Sequence, residues 1–214
     1  MIRNIIFDWS GTLVDDLPAV WEATNHVLSQ AGRPAMTLEQ FRAEFCLPFT
    51  VFYDRCIPGV EYAKLDGWFN SRFGEVQASV RELPHARDFL QFCRTRSLRT
   101  FLLSSVRQDY FAIQSAVTGF AEFLDKPYIN VMDKRKKIHD ILKENQLRTE
   151  ETLFIGDMHH DIETAQHGGI HACGVLTGYN TLEQLRRARP DLIVENLHEL
   201  REILERNELS LEAN

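Results

Sequence analysis

Residues 4–12 read Asn4-Ile5-Ile6-Phe7-Asp8-Trp9-Ser10-Gly11-Thr12, a short apolar run that delivers an aspartate into a turn containing glycine. A second run, Thr152-Leu153-Phe154-Ile155, ends in the same way in Gly156-Asp157, and Asp161 follows four residues later. Open α/β sheets build their active sites at the carboxyl ends of their strands. Two or three carboxylates gathered there attract a hard divalent cation such as Mg²⁺. The two stretches therefore predict a parallel sheet with an acidic site at one edge.

The length and composition favour a globular chain with a substantial core. Its 214 residues suit one large domain, or a domain that carries a smaller inserted one. The net charge of -7 argues against a broad surface for nucleic acid or for an anionic membrane. An anionic small substrate stays open, because a bound cation or a few basic residues can reverse the local field.

The cysteines and the hydropathy pattern favour a soluble protein of the cytoplasm. Cys46, Cys56, Cys93 and Cys173 are scattered and form no CxxC pair, so we expect reduced, mostly buried thiols. No apolar run approaches the ~18 residues of a membrane-spanning helix. No charged-then-apolar leader precedes the first strand, and we therefore expect a cytoplasmic location without membrane contact.

A helical insertion follows the first strand. From about Asp15 to Arg81 the pattern predicts helices only, about 65 residues in all. The signals are an apolar stripe from Leu17 to Leu28, a capping box at Thr37–Gln40 with Leu38, Phe41 and Phe45 turned inward, breaks at Leu47-Pro48 and Pro58-Gly59, and an aromatic helix from Trp68 to Val76.

Strands and helices alternate from Leu83-Pro84 onward. The predicted strands are 99–103, a weaker one at 128–131, 152–155, 171–176 and 192–194. The predicted helices are 86–96, 108–117, one that begins at Lys134, one that ends at Gly168 and one that begins with a second capping box at Thr181. Strands separated by helices of this length imply parallel βαβ units. The predicted fold is α/β, a doubly wound, Rossmann-like parallel-sheet core of residues 1–14 plus 82–214 with an inserted α-helical domain of residues 15–81.

Three carboxylates are candidates for chemistry. Asp8, at a strand end before a glycine turn, can act as a nucleophile or as a metal ligand. Asp157 and Asp161 lie four residues apart across a turn into a helix, so both can lean toward one point. The alternative is structural, since aspartate also caps turns and favours helix N-termini. The second strand-end aspartate makes function the better interpretation of Asp8.

Polar and basic residues near the same edge suggest a phosphate site. Ser104 ends an apolar strand, where its hydroxyl and nearby backbone N–H groups can hold a phosphate oxygen. Lys134 opens the basic run Lys134-Arg135-Lys136-Lys137, and a lysine there can neutralise a phosphoryl group. At least two of these four residues are expected on a solvated helix face. His159 and His160 point in different directions, so we expect surface or supporting roles rather than metal ligation.

Together, Asp8-Trp9-Ser10-Gly11-Thr12, Ser104, Lys134 and Gly156-Asp157-x-x-x-Asp161 resemble the haloacid dehalogenase-like hydrolase superfamily. The resemblance covers nearly the whole chain, including the tail Gly174–Gly178. The helical insertion looks like the small cap of the phosphoglycolate phosphatase-like branch.

The resemblance implies a mechanism. Asp8 would attack a phosphoryl group and form an aspartyl-phosphate that water hydrolyses. Asp8, Asp157 and the backbone carbonyl of Ser10 would hold Mg²⁺. The further roles it implies are phosphoryl binding by Ser104, Ser105, Gly11 and Lys134, steadying of the loop by Thr12, and orientation of Lys134 or of metal-bound water by Asp161, with Lys137 as the alternative lysine.

Ser10 departs from the family pattern, which usually has a second aspartate there as general acid and base. A serine hydroxyl is far too weak an acid or base near pH 7, and such help is worth roughly 10²–10⁴-fold. A slow phosphatase, a substrate with a good leaving group and another recruited base all stay open, while mutase chemistry is disfavoured.

Branches of the family that lack this aspartate fit less well. Phosphonoacetaldehyde hydrolases use a cap lysine, whereas the matching loop here is Phe45–Phe49 and the insertion's lysine, Lys64, lies well beyond it. Dehalogenases are metal-independent and lack the Gly-Asp-x-x-x-Asp pattern. We therefore expect a Mg²⁺-dependent hydrolase of a small phosphorylated metabolite, a monomer or homodimer that binds no nucleic acid. The rival is a catalytically weak relative that binds a phosphorylated ligand or a protein partner.

Overall fold

Six parallel strands form the central sheet of the protein, seen in a computed structural model that describes residues 1–211. In chain order, the strands within these residues are β1 (Asn4–Phe7), β2 (Val14–Asp15), β3 (Arg81–Glu82), β4 (Arg99–Leu103), β5 (Lys126–Tyr128), β6 (Thr152–Gly156), β7 (His171–Val175) and β8 (Leu192–Val194). The helices are α1 (Leu17–Gln30), α2 (Leu38–Glu44), α3 (Phe49–Cys56), α4 (Tyr62–Val76), α5 (Ala86–Thr95), α6 (Gln108–Thr118), α7 (Lys134–Glu144), α8 (His159–Gly168), α9 (Leu182–Ala188) and α10 (Leu197–Arg206).

The sheet order is β5-β4-β1-β6-β7-β8, which confirms the predicted doubly wound α/β class. The chain first builds outward from β1 through β4 to β5, and then returns to the other side of β1 through β6, β7 and β8. The strand order reverses beside β1, and ligands of open α/β sheets bind at such switch points, outside the carboxyl ends of the strands. Asp8 directly follows β1 and Asp157 directly follows β6.

Helices cover both faces of this sheet because its strands are apolar on both sides. Successive side chains of a strand point to opposite faces. Ile6 belongs to a buried cluster with Ile138 of α7 and Ile162 of α8. Phe7 packs edge-on against Phe89 of α5, with ring centroids 6.0 Å apart. Burying such residues on both faces supplies the main stabilising free energy of the sheet.

The chain divides into two compact units, residues 16–80 and the remainder. The smaller unit contains α1 to α4. Its α2 begins with the predicted capping box, in which the Thr37 side chain accepts from Gln40 N and the Gln40 side chain accepts from Thr37 N. Phe41 and Phe52 are fully buried and meet edge to face at 6.0 Å. The larger unit holds the six-stranded sheet and a two-stranded antiparallel ribbon of β2 and β3.

The structure corrects two local predictions. The weak strand expected near 128–131 is β5 at Lys126–Tyr128, because Asn130 adopts a left-handed φ of 57° that a strand cannot continue through. Leu38, expected to face inward, is 37% exposed, since the first turn of α2 turns it outward while Phe41 takes the core position.

The cysteines are free thiols, as the sequence predicts. All four cysteines are free, with Cys93 and Cys173 buried and Cys46 and Cys56 half-buried. Burial raises the pKa of both the Cys93 and the Cys173 thiol, so both are inert core groups. Across residues 1–211, every helix is too short or too polar to cross a membrane.

Candidate active site

Three buried carboxylates meet at the carboxyl edge of the sheet. Asp8, Asp157 and Asp161 each offer an oxygen, and these atoms lie within 4.8 Å of one another. Asp8 is 5% exposed, Asp157 1% and Asp161 0%. The parallel pairing of β1 with β6, Phe7 opposite Ile155, brings the first two together. The backbone N–H of Asp8 donates to Ile155 O at 2.9 Å and ties the two strand ends.

Lys134 supplies the cation of this cluster. Its Nζ lies 2.7 Å from Asp8 Oδ1 and 2.7 Å from Asp161 Oδ1, and the residue is only 4% exposed. Burial alone would lower the pKa of Lys134, but the charges of Asp161 and Asp8 raise it by more. The net pKa lies above its usual value, so the amine stays protonated. Of the two lysines considered from the sequence, the structure places Lys134 here. Lys137 pairs instead with Asp140 at 3.1 Å on the outer side of α7.

The charge in the cluster is unbalanced. Burial raises the pKa of Asp8, although Lys134 opposes this effect. Burial, Asp161 and Asp8 raise the pKa of Asp157 well above its usual range. With all three carboxylates ionised beside one ammonium, this buried site would carry two net negative charges, which a single divalent cation would neutralise. The all-oxygen donor set is the kind that Mg²⁺ and Ca²⁺ prefer.

Backbone donors fix the orientation of Asp157 and Asp161. Asp157 Oδ2 accepts from Tyr179 N at 2.7 Å, and its Oδ1 accepts from Thr12 Oγ1 at 3.3 Å. Asp161 Oδ2 accepts from Met158 N at 3.1 Å at the start of α8. Each carboxylate therefore has a defined direction before any ligand arrives. The sequence gives no signal for Tyr179 or Met158, because both act through the main chain.

Glycines leave the space that these carboxylates occupy. A Cβ on Gly178 would lie 2.1 Å from Asp157 Oδ2, and one on Gly156 would lie 2.3 Å from Asp161 Cβ. Gly11 has a left-handed φ of 71°, and a Cβ there would lie 2.5 Å from Asp157 Oδ2. These three positions admit no side chain, because any Cβ would push a carboxylate out of the cluster.

The turn after Asp8 is anchored on both sides. Trp9 is fully buried, and its Nε1 donates to Gln114 Oε1 at 2.6 Å. Thr12 is also fully buried and donates to Asp157. Thr177 Oγ1 donates to Gly11 O at 2.7 Å. Ser10 lies half-buried in this turn, bridged to Val14.

Ser104 follows β4, the other neighbour of β1. It is 2% exposed, and its Oγ accepts from Val106 N at 3.3 Å, which leaves the hydroxyl hydrogen available to a ligand. The adjacent Ser105 is half-buried. The main-chain bonds from Ser104 N to Tyr128 O and from Val131 N to Ser104 O hold this strand end beside β5.

His160 is closer to the cluster than the sequence indicates. Its Nε2 lies 3.3 Å from Asp161 Oδ1. Burial and the Lys134 cation lower its pKa well below the usual range, so the imidazole beside Asp161 is neutral. Its Nδ1 is buried without a hydrogen-bond partner within residues 1–211. His159, in contrast, is held by its backbone N–H, which donates to Asn180 Oδ1 at 2.7 Å.

Comparison with known proteins agrees with this architecture. The family model described as haloacid dehalogenase-like hydrolase matches residues 5–175. A phosphoglycolate phosphatase of Photorhabdus laumondii is 27% identical over 213 residues, covering 93% of this chain and 91% of that protein. A pyrophosphatase of Anoxybacillus flavithermus is 24% identical over 209 residues, covering 95% of this chain and 97% of that protein.

A solved structure shares the fold over nearly its full length. The haloacid dehalogenase-like family hydrolase from Streptococcus pneumoniae superposes with a TM-score of 0.85 at 21% identity. The match covers 95% of this chain and 98% of that one.

Proposed function

The chain belongs to the haloacid dehalogenase-like hydrolases, and we propose that it is a Mg²⁺-dependent phosphatase of small phosphate monoesters. The position of Asp8 is the strongest support for this function. Its carboxylate lies at the switch point of the sheet, 2.7 Å from a buried ammonium and within reach of two further carboxylates. The relatives named as phosphoglycolate phosphatase and pyrophosphatase support phosphoryl transfer as the chemistry.

Asp8 is the proposed nucleophile. One carboxylate oxygen attacks phosphorus, the bond from phosphorus to the leaving oxygen breaks, and an aspartyl-phosphate results. Water then attacks the phosphorus of that intermediate, which releases phosphate and restores the carboxylate. Lys134 holds Asp8 in place and offers its N–H groups to the phosphoryl oxygens as charge spreads over them. Asp161 positions Lys134 through its 2.7 Å contact.

Asp8, Asp157 and the backbone carbonyl of Ser10 are the proposed ligands of Mg²⁺. The residues fit such an ion, because burial and repulsion by Asp161 hold the pKa of both Asp8 and Asp157 above the usual range. Bound there, the ion would offset the repulsion between a carboxylate and a phosphate dianion. Thr12 and Tyr179 N orient Asp157 toward the site through one hydrogen bond to each oxygen.

Ser104, Ser105 and Gly11 complete the proposed phosphoryl site. The Ser104 hydroxyl donates to a phosphoryl oxygen from the end of β4. The turn that contains Gly11 approaches from the end of β1, where a side chain would collide with Asp157. Donors placed in advance around the phosphoryl group favour the transition state without reorganisation.

Ser10 sets the expected substrate range. Its hydroxyl cannot protonate a departing alkoxide near pH 7, since it is a hydrogen-bond donor but a very weak acid. We therefore expect turnover to depend steeply on the acidity of the leaving group. Esters of acidic alcohols and phenols should react well, and those of ordinary alcohols slowly.

A phosphate-ester panel tests the proposal. Release of phosphate is measured with p-nitrophenyl phosphate and with small-metabolite monoesters, in Mg²⁺ and in EDTA. We expect turnover only in Mg²⁺, and none by Asp8→Asn. Lys137→Met is the matched control for a lysine of the same helix outside the site, and it should keep wild-type rates.

Ser10→Asp sharpens the test. The substitution supplies a carboxyl group at the position where the family usually has one, and general acid–base help is worth roughly 10²–10⁴-fold. It should raise turnover of poor leaving groups more than turnover of p-nitrophenyl phosphate. Equal effects on both would show that residue 10 does not serve the leaving group.

The second candidate function is a binding protein with little catalysis, and Ser10 is the observation that favours it. A folded sample that binds phosphate esters tightly in Mg²⁺ but hydrolyses none of the panel would establish that candidate and exclude the phosphatase. A cytoplasmic location, a small phosphorylated metabolite as ligand and a monomeric or homodimeric state stay predictions from the sequence.

A further inference from the structure

Two imidazoles face each other on α7 and α8, away from the carboxylate cluster. The ring centroids of His139 and His167 lie 4.9 Å apart, with the ring planes at 65°. Both residues are exposed. The proposed phosphatase mechanism uses neither side chain, so their placement has another origin or another use.

The backbones that carry these two rings are held at close range. Gly168, next to His167, lies against Ile138, next to His139. A Cβ on Gly168 would meet Ile138 Cγ1 at 2.8 Å, so the glycine lets the two helices approach. Ile138 is itself fully buried in the core cluster. The separation of the two backbone positions that carry the imidazoles is therefore set by a tightly packed helix contact rather than by mobile loops.

The spacing suits two ligands of one transition-metal ion. With metal–nitrogen bonds of about 2.0–2.1 Å, a tetrahedral ion holds two imidazole centroids about 5.2 Å apart, and a square-planar ion with adjacent ligands holds them about 4.5 Å apart. The observed 4.9 Å lies between these values. The χ2 angle of histidine is broad. Each ring can therefore turn a nitrogen toward the gap while its backbone stays in place.

We propose that His139 and His167 form a surface binding site for a borderline divalent transition-metal ion of the Cu²⁺, Zn²⁺ or Ni²⁺ class. Imidazole suits these ions, whereas Mg²⁺ takes oxygen ligands and does not compete. Water completes the coordination on the exposed side. The site is separate from the proposed Mg²⁺ cluster and independent of the phosphatase proposal.

The charged residues around His139 and His167 allow a cation to bind between the two rings. Arg135 and Lys143 lie one turn on either side of His139, and both would oppose a cation. Glu163, one turn before His167 on α8, offsets this charge, with its Oε2 4.0 Å from Arg135 Nη1. Glu163 also places a carboxylate on the same face of α8 as His167.

The site would tie together the two helices that carry Lys134 and Asp161. Lys134 begins α7 and Asp161 lies in the first turn of α8, and their side chains meet at 2.7 Å. A metal bridge between His139 and His167 adds a second tie further along the same helices. An ion that binds only the folded protein must raise its stability.

Calorimetric titration of the untagged full chain with Cu²⁺, in excess Mg²⁺, tests the proposal. The proteins compared are wild type, His139→Gln, His167→Gln, and His171→Gln as a control for a single imidazole elsewhere on the larger unit. We expect wild type and the control to bind one more equivalent of Cu²⁺ than either pair variant. Copper held at a place that involves none of these three histidines is common to all four proteins and cancels.

Two further readouts decide the outcome. The electron paramagnetic resonance spectrum of the additional copper should show coupling to two imidazole nitrogens. Zn²⁺ should raise the melting temperature of wild type and of the control, and this shift should be lost in both pair variants. Identical copper stoichiometry in all four proteins, or coupling to one nitrogen only, would overturn the site. Both histidines are exposed, so either single variant carries the test if the other misfolds.

Discussion

At the residue scale, the arrangement around Lys134 explains how three carboxylates share one buried site. The ammonium touches Asp8 and Asp161, while Asp157 relies on Tyr179 N and Thr12. A buried ionic cluster of this kind is a weak source of stability, because the desolvation of each charge opposes the attraction between them. The cluster instead fixes the orientation of the Asp8 carboxylate toward a ligand.

Removing the lysine should therefore be costly. Lys134→Met leaves Asp8 and Asp161 buried without their cation, and loss of one partner of a buried pair typically costs about 3–5 kcal/mol. Urea unfolding in EDTA measures the change. Lys137→Met, on the outer side of the same helix, should stay within about 0.5 kcal/mol of wild type. Equal destabilisation by the two substitutions would contradict the buried bridge.

The raised pKa of Asp157 predicts how the free energy of unfolding changes with pH. Burial, Asp161 and Asp8 raise its pKa in the folded protein well above the ordinary 3.8. Above that ordinary value the folded state holds a proton that the unfolded state releases, so the free energy of unfolding falls as the pH rises toward the raised pKa. The decline is at most about 1.4 kcal/mol per pH unit for one proton.

Asp157→Asn removes this titration and should flatten the decline. Urea unfolding of both proteins in EDTA, between about pH 4 and pH 8, gives the difference between them. Excess Mg²⁺ should abolish the wild-type decline, because the ion favours the charged carboxylate. Parallel curves for wild type and Asp157→Asn in EDTA would show that Asp157 is not held protonated by its surroundings.

At the element scale, glycines decide how closely turns and strands approach the cluster. Gly178 has no positive φ, so an alanine there fails for want of space alone, with its Cβ 2.1 Å from Asp157 Oδ2. Gly67, inside α4, has open space around it. The two positions therefore separate a packing requirement from the general effect of replacing glycine.

Gly178→Ala should lower stability and weaken Mg²⁺ binding, because Asp157 must move to admit the methyl group. Gly67→Ala should raise stability by about 0.5–1 kcal/mol, the usual gain for a helix interior. Urea unfolding and Mg²⁺ titration of both variants measure these changes. Normal Mg²⁺ affinity in Gly178→Ala would show that Asp157 needs no such clearance.

Local sequence patterns predicted most elements because their signals are local. Apolar runs identified β1, β4 and β6, and the capping boxes at Thr37 and Thr181 mark the observed starts of α2 and α9. The two-residue strands β2 and β3 were missed, since they exist only through pairing of distant segments. The helix α10 was not predicted either, although Asn196 caps its first turn.

At the scale of the whole molecule, the site could be anticipated because a parallel sheet gathers its carboxyl ends. Asp8, Ser104 and Asp157 are distant in sequence, yet they follow three neighbouring strands of one sheet. The main-chain donors Tyr179 N and Met158 N could not be anticipated, because any residue type supplies them. The contact of His160 with Asp161 depends on the rotation of α8 about its axis, which the residue types do not determine.

We expect Asp8 to become phosphorylated during turnover, and acid quenching traps that phosphoryl group for detection. Wild-type protein is mixed with p-nitrophenyl phosphate and Mg²⁺ and quenched in acid, and its peptides are analysed by mass spectrometry. We predict one added phosphoryl group on the peptide that contains Asp8, absent in EDTA and absent in Asp8→Asn. Lys137→Met should show the same labelled peptide as wild type. Sustained turnover with no labelled peptide, or turnover by Asp8→Asn at the wild-type rate, would contradict an aspartyl-phosphate on Asp8.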